Sequence, residues 1–406
     1  MSEDAAGSTI LRRRPWSVVS VVLASGFLFG VVSNAIKKET IGIDFGVFHA
    51  GGSLIRTSGY DAVYNTTTFS NFLTTEYFPS LVGSRTVSHF ISTPTFGWFS
   101  QVLSLVPFTA AFVLWLLLGA FALVSACRHL GLPRWTPVVL LISPIMALNT
   151  SLGQTGPFAL LLFAYIHRET VEDRPFRLGV LSGLFILKPP LALGYGLLWL
   201  IWSRRYLHSL LAAAFTGLLL SVPTFIGGLQ PWRGFIGAME ERADAESAWS
   251  QQSSSVPEFL KLFLPNAPSW VTVLSWGIGL GAAAMLVLVA QRRFGHDAEV
   301  MSAAAVVATV VASPHLLVYD SLILLVPAAV AYRRGLLTGD RAGLLAAIMT
   351  ASFAFGPVIY NLQYDVAGRG IGMELPALVA CVWLLVRWNE QKQAEAEPLL
   401  AVLADA

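Results

Sequence analysis

Residues 92–127, STPTFGWFSQVLSLVPFTAAFVLWLLLGAFALVSAC, contain no Asp, Glu, Lys or Arg and end directly against Arg128. One helix needs roughly 20 apolar residues to cross a hydrocarbon core, so this run is too long for a single crossing. Pro107 lies inside it. A proline within a helical pattern removes a backbone donor and breaks the helix, so the stretch is predicted to divide near Pro107. Similar apolar runs recur at 16–36, 136–150, 155–167, 177–188, 190–203, 206–226, 270–290, 299–313, 316–332, 341–359 and 372–388. The chain of 406 residues is 55% hydrophobic and 12% charged, against roughly 25% charge in a soluble domain. In lipid every backbone polar group must be satisfied within the chain, which leaves helices as the spanning element for runs of this length. The expected fold is therefore all-α, a polytopic transmembrane helical bundle of about 12 spans.

Charge placement orients the bundle. The formal net charge of +2 is too small to imply a nucleic-acid partner. The basic residues sit in short connections: Arg12 to Arg14, Arg128 to Arg134, Arg168 to Arg177, Arg204-Arg205, Arg292-Arg293, Arg333-Arg334 and Arg387. The positive-inside rule puts all of these loops in the cytoplasm. An even number of crossings must then separate each pair. From Arg128 onward the parity holds; before it, 92–107 and 109–127 count as two spans where one is required, so one of them is expected to be half-inserted or interfacial. The run 16–36 is long enough to be an uncleaved first helix with its N-terminus in the cytoplasm, although Ser33-Asn34-Ala35 loosely resembles a signal-peptide cleavage site. On this reading 1–15 is a cytoplasmic tail, 16–390 the membrane body with outer loops at about 37–91 and 228–268, and 391–406 a cytoplasmic tail of a multi-pass protein of the cytoplasmic membrane. Cys127 and Cys381 lie in or beside apolar runs next to arginines and read as neither disulfide nor metal ligands.

The same bookkeeping puts five polar interruptions on the extracytoplasmic side: Asp44, Gly153-Gln154, Lys188-Pro189-Pro190, Ser313-Pro314-His315 and Tyr364-Asp365. Short spans and broken backbone at membrane depth are tolerated only against protein or a water-filled cavity. A polar cavity opening outward is the expectation. Residues 233–249 of the second outer loop read as an amphipathic helix lying on the membrane surface. The Asn65-Thr66-Thr67 and Asn149-Thr150-Ser151 triplets are read as coincidental matches to a glycosylation sequon.

An acidic residue just beyond an outward helix end, as at Ile43-Asp44-Phe45-Gly46-Val47-Phe48-His49-Ala50, resembles the signature of the GT-C membrane glycosyltransferases, where it serves as catalytic base. Together with Gly59-Tyr60-Asp61, Asn149 followed by Gly153-Gln154, Lys188-Pro189 closing an apolar helix, and Ser313-Pro314-His315 with Tyr319-Asp320, the pattern resembles glycosyltransferase family 87. The chain departs from that pattern at Ser92-Thr93-Pro94, where the family has paired prolines, and at Thr155 after Gln154. The resemblance implies a GT-C-type bundle with juxtamembrane helices in its extracytoplasmic first loop. It also implies an enzyme moving a hexose, often mannose, from a polyprenyl-phosphate-linked donor to a lipid or glycolipid acceptor. No Asp-x-Asp nucleotide-sugar signature or glycine-rich phosphate cradle is present, which agrees with a lipid donor and calls for no cofactor and no metal.

The chemistry assigns roles. A sugar hydroxyl becomes a good nucleophile when a carboxylate within hydrogen-bond reach removes its proton, and Asp44 is the candidate base; a lone Asp in that position otherwise caps a juxtamembrane helix. The departing lipid phosphate calls for cationic donors, for which Lys188 and His315 are the candidates. A snorkelling side chain is the plainer account of Lys188 and a packed core residue that of His315. Gln154, with donors and an acceptor, and Tyr60, Asp61, Tyr319 and Asp320 are candidates for sugar and acceptor contacts. Asp320 is also placed to pair with a cation elsewhere, and Tyr60 and Asp61 to pack the loop. A lipid or sugar transporter or flippase is the alternative, but its ionisable groups would gather near the bilayer midplane, whereas these lie at helix ends.

Overall fold

The computed structural model describes residues 41–79, 89–202, 207–226, 228–245, 269–294, 297–313, 318–352 and 374–404, with isolated positions at 19, 22, 25, 26, 255–257 and 260. Among the described residues the regular elements are all helices. The predicted first span, 16–36, lies almost wholly outside them, as do Pro314, His315 and Tyr364-Asp365.

The run at 92–127 is broken as its proline requires. Helix α4 (Pro94–Leu103) ends before Pro107, and helix α5 (Phe108–His129) starts immediately after it with Pro107 at the cap position. Ten residues rise only about 15 Å, so α4 is too short to cross. It packs instead along α1 (Ile43–Ser58). Of the pair, α5 is the member long and apolar enough to cross a membrane. Hydroxyl-proline pairs start helices here: Thr93 accepts from the Phe96 amide ahead of Pro94, and Ser143 from the Met146 amide ahead of Pro144. The side chain satisfies one orphan donor of the first turn, and proline at the first position loses nothing because its missing N–H had no partner there.

Two apolar cores follow. The smaller joins α1 to α2 (Tyr60–Tyr64), α3 (Thr66–Glu76) and α12 (Gln230–Ala245) through Tyr64, Phe69, Leu73, Phe90 and Ala238. The segment after α11 therefore contributes a helix that starts at Gln230 and docks on the segment between α1 and α4; Thr66 Oγ1 donates to Glu241 Oε2 at 2.5 Å. The larger core contains α5, α8 (Gly156–Val171), α10 (Leu193–Trp202), α13 (Ser269–Phe294), α14 (Ala298–Ala312) and α15 (Leu325–Arg333), with Phe163, Tyr195, Leu160 and Val306 buried at its centre. Between α5 and α8 the chain returns through α6 (Thr136–Leu141) and α7 (Pro144–Leu152). Short helix α9 (Pro175–Ser182) packs on α11 (Leu207–Ser221). A last helix, Glu374–Ala404, closes the described chain.

Three helical segments among the described residues are long and apolar enough to cross a membrane: Phe108–His129, Leu207–Phe225 and Val273–Phe294. Their exposed surface is apolar, as at Leu117, Phe121, Phe215 and Met285. A face of this kind is stable against lipid and costly against water.

The charged loops gather at one end of the larger core. Arg333 Nη1 donates to the Leu130 carbonyl at 2.6 Å, and Nη2 to Glu299 Oε1 at 2.9 Å and His167 Nε2 at 3.0 Å. Arginine only donates, so Nε2 accepts and His167 Nδ1 carries the proton that goes to Ser302 Oγ at 2.9 Å; Ser302 in turn bonds the buried Tyr195 hydroxyl. Arg334 pairs with Asp297, which caps α14. One guanidinium thus ties the ends of α5, α8, α14 and α15. Lysine has the charge but not the planar fork, so Arg333→Lys is expected to lose at least one charge-assisted bond, about 1.5–3 kcal/mol. A lowered unfolding midpoint in detergent, without change of oligomeric state, is the expected result.

Candidate active site

Asp44 occupies the second position of α1, in its first turn, where unpaired amides favour an anion. The helix is held by aromatic packing on its buried side. The Phe45 ring lies 5.8 Å from Phe108, 5.4 Å from Phe112 and 5.5 Å from Trp115. Opposite it the 149–156 turn is strapped to the start of α1: the Gly42 amide donates to the Ser151 carbonyl at 2.7 Å, and Trp115 Nε1 to the Gly153 carbonyl at 3.0 Å. Gly153 ends α7 in the left-handed region at φ 75°, and a Cβ there would fall 2.5 Å from Phe45 Cβ. Only glycine meets both demands. The turn delivers the buried Gln154, whose Nε2 donates to Asp44 Oδ2 at 2.5 Å.

Lys188 lies between two 3-10 segments, Gly183–Leu187 and Pro189–Ala192, with its own backbone at φ −145°, ψ 77°. The prolines that follow cannot continue a helix from it, so the side chain emerges from a fixed break. Its Nζ donates to Asp320 Oδ1 at 2.5 Å and stands 5.6 Å from the Tyr319 ring centroid. The Asp320 side chain is 1% exposed and that of Lys188 31% exposed, so a buried carboxylate anchors a partly exposed lysine. Removing one partner of such a pair strands the other charge, at a cost of about 3–5 kcal/mol.

Of the residues singled out in the sequence, the structure therefore joins Asp44 to Gln154 and Lys188 to Asp320. Tyr60 and Asp61 belong to α2: the Tyr60 hydroxyl donates to the Pro94 carbonyl at 3.2 Å, and Asp61 is exposed. His315 lies outside the described residues. Among the described residues no group of three His, Cys, Asp or Glu is arranged to hold a metal ion. A cavity of about 30 Å³ beside Gln154, bordered by Trp115, Met146, Asn149 and Phe158, has room for water.

Residues 90–318 match the family model of glycosyltransferase family 87. The chain belongs to this family. It is thus a glycosyltransferase and, with its long apolar helices, a membrane protein. No functionally curated protein and no solved structure matches it. The family 87 match contains Asn149, Gln154, Lys188 and Ser313 to His315, and stops short of Tyr319 and Asp320. Asp44 also lies outside the matched residues, and reaches them through Gln154.

Two residues of the site were given no chemical role by the sequence. Asn149 is buried, with its side chain bonded to Ile145, Gly156 and Tyr319; its position ahead of Gly153-Gln154 in the family pattern was the signal available. His49 stands in the quoted Asp44 stretch. Its Nε2 lies 2.8 Å from the Val106 carbonyl, which only accepts, so Nε2 carries the proton and Nδ1 accepts from the Tyr77 hydroxyl at 2.9 Å. His49 thereby ties α1 to the turn before α5.

Burial holds the His49 imidazole below its ordinary range, the Arg56 charge adds to this, and the Val106 carbonyl opposes it. A histidine depressed in the folded state contributes stability that is present above the unfolded value, about 6.5, and lost as pH falls below it. His49→Gln is expected to flatten the decline of the unfolding midpoint between neutral and mildly acidic pH, measured beside the wild type.

Proposed function

We propose that this glycosyltransferase moves a hexose, mannose in the first instance, from a polyprenyl-phosphate-linked donor to a lipid or glycolipid acceptor, with inversion at the anomeric carbon. The observation that carries the reading is the 2.5 Å bond from Gln154 Nε2 to Asp44 Oδ2. A general base needs a fixed carboxylate, and the buried amide orients this one without competing for the proton. In the proposed step Asp44 takes the proton of the acceptor hydroxyl while the hydroxyl oxygen of the acceptor bonds to the anomeric carbon. The bond from that carbon to the phosphate oxygen breaks, and its electron pair leaves on polyprenyl phosphate. Lys188, held by Asp320, and His315 meet the charge that develops there. Tyr319 and Gln154 are the candidate sugar contacts, with Tyr60 and Asp61 toward the acceptor.

A GT-C-type bundle of about 12 spans in the cytoplasmic membrane, with both termini cytoplasmic, accommodates this chemistry at the extracytoplasmic face. The sidedness is supported by α8: Gln154 precedes its start and His167, bonded to Arg333, lies near its end, roughly 20 Å apart along a helix axis. With the arginine-rich end inward, the Asp44 end faces outward.

Purified protein is tested for transfer of radiolabelled mannose from polyprenyl-phosphate-mannose to extracted membrane lipids, with monodispersity checked for every variant. Asp44→Asn is expected to lower turnover by about 10²–10⁴-fold. Equal transfer by both proteins removes Asp44 from the reaction. Absence of transfer from any polyprenyl-phosphate hexose by the wild type overturns the donor assignment and returns the transporter alternative. Gln154→Leu keeps the base but loses its orienting donor, so a smaller fall is expected, about 10-fold or more, with folding retained.

A further inference from the structure

The two joined pairs, Asp44 with Gln154 and Lys188 with Asp320, come from four separate stretches of chain, and one buried residue bonds to backbone at or next to a member of each. Asn149 Oδ1 accepts from the Gly156 amide at 3.0 Å, and its backbone carbonyl accepts from the Gln154 amide at 2.8 Å. Its Nδ2 donates to the Ile145 carbonyl at 2.8 Å and to the Tyr319 carbonyl at 3.0 Å. Both amide hydrogens are therefore spent, and the residue is 2% exposed. The first residue of a helix carries an amide with no partner inside the helix. Thr155, the residue before α8, makes no side-chain cap bond, so Asn149 caps α8 from seven positions upstream. The same side chain holds the 3-10 segment Val318–Leu324 at Tyr319, the residue next to Asp320.

We infer that Asn149 is a positioning residue of the transfer reaction, setting the Asp44–Gln154 base against the Asp320–Lys188 cation through its bonds to the 149–156 turn and to Tyr319. It touches neither pair's ionised groups, so it acts through them. The inference rests on the proposed function for its chemistry but on hydrogen-bond geometry for its placement. A second feature of the chain fits around it: a Cβ on Gly156 would lie 2.2 Å from Asn149 Oδ1 and 2.9 Å from both Cγ and Nδ2. Gly156→Ala thus displaces the Asn149 side chain while deleting no polar group. With Asn149 reduced to alanine, the atoms it would strike are gone.

That relation gives a test in which damage to the fold and loss of positioning separate. Asn149→Ala and Gly156→Ala are each expected to lower turnover by about 10–100-fold, the scale of an ångström-sized misplacement, while the donor KM moves by less than about threefold. The double variant is expected to be no slower than Asn149→Ala alone, because both changes act on one side chain. A readout independent of transfer follows Lys188: its acetylation by a water-soluble ester, mapped by peptide mass spectrometry and normalised to Lys392, is expected to rise severalfold in each variant as Asp320 loses its fixed position. Wild-type turnover and wild-type Lys188 reactivity in Gly156→Ala overturn the inference, as does a double variant whose loss equals the product of the single losses. A wild type inactive with polyprenyl-phosphate donors fails the proposed function alone, and Lys188 reactivity then decides the positioning.

Discussion

A carboxylate at the margin of an apolar bundle is held only if a donor meets it, and for Asp44 that donor is the buried Gln154 amide. The rest of the architecture can be followed from this bond. Gln154 points at Asp44 because Gly153 turns left-handed beneath Phe45. The turn keeps its shape because the Asn149 side chain takes the Gly156 amide at the start of α8 and its carbonyl takes the Gln154 amide just past the end of α7. Unmade hydrogen bonds are costlier in a low-dielectric interior than in water, so each bond in the series is enforced by the apolar packing around it.

The two cores divide the labour. The smaller, built from α1 to α3 and α12, carries Asp44; the larger carries Gln154, Lys188 and Asp320. They meet through polar contacts as well as packing: Thr93 Oγ1 donates to the Ile186 carbonyl at 3.0 Å, and Thr95 and Ser221 hydroxyls lie 2.9 Å apart. Ile186 is two residues from Lys188. The break that presents the lysine is thus braced by the same hydroxyl that caps α4. At the far end of the larger core, Arg333 performs the corresponding task for the charged loops, so an apolar middle separates two polar ends with different duties.

Much was readable before any coordinates. Helical class, membrane character, the break at Pro107 and the family all follow from composition, run length and motif order, because the cost of placing backbone and charge in lipid leaves few alternatives. The parity conflict around 92–127 was also visible, but not that Pro94–Leu103 packs along α1 while Phe108–His129 forms one long apolar helix. Residues 233–249 were read as a surface helix from their amphipathic pattern, and part of that helix's apolar side meets Tyr64 and the small core while Ile236 stays exposed. Periodicity identifies an apolar face and cannot say whether lipid or protein will cover it.

The candidate site shows the same division. Asp44, Gln154, Lys188 and Asp320 were each marked by sequence alone, since a polar residue interrupting an apolar run demands a reason. Their pairing was not, because Asp44 and Gln154 are 110 positions apart and Lys188 and Asp320 are 132 apart. Asn149 and His49 were passed over for a related cause: a buried polar side chain and an exposed one look alike in a string of letters. What the sequence by itself determined is the set of residues that must leave the hydrocarbon or find a partner, through the cost of desolvating them. Which partner each one found was decided only in the tertiary structure, where chain segments distant in sequence bring donor and acceptor within reach.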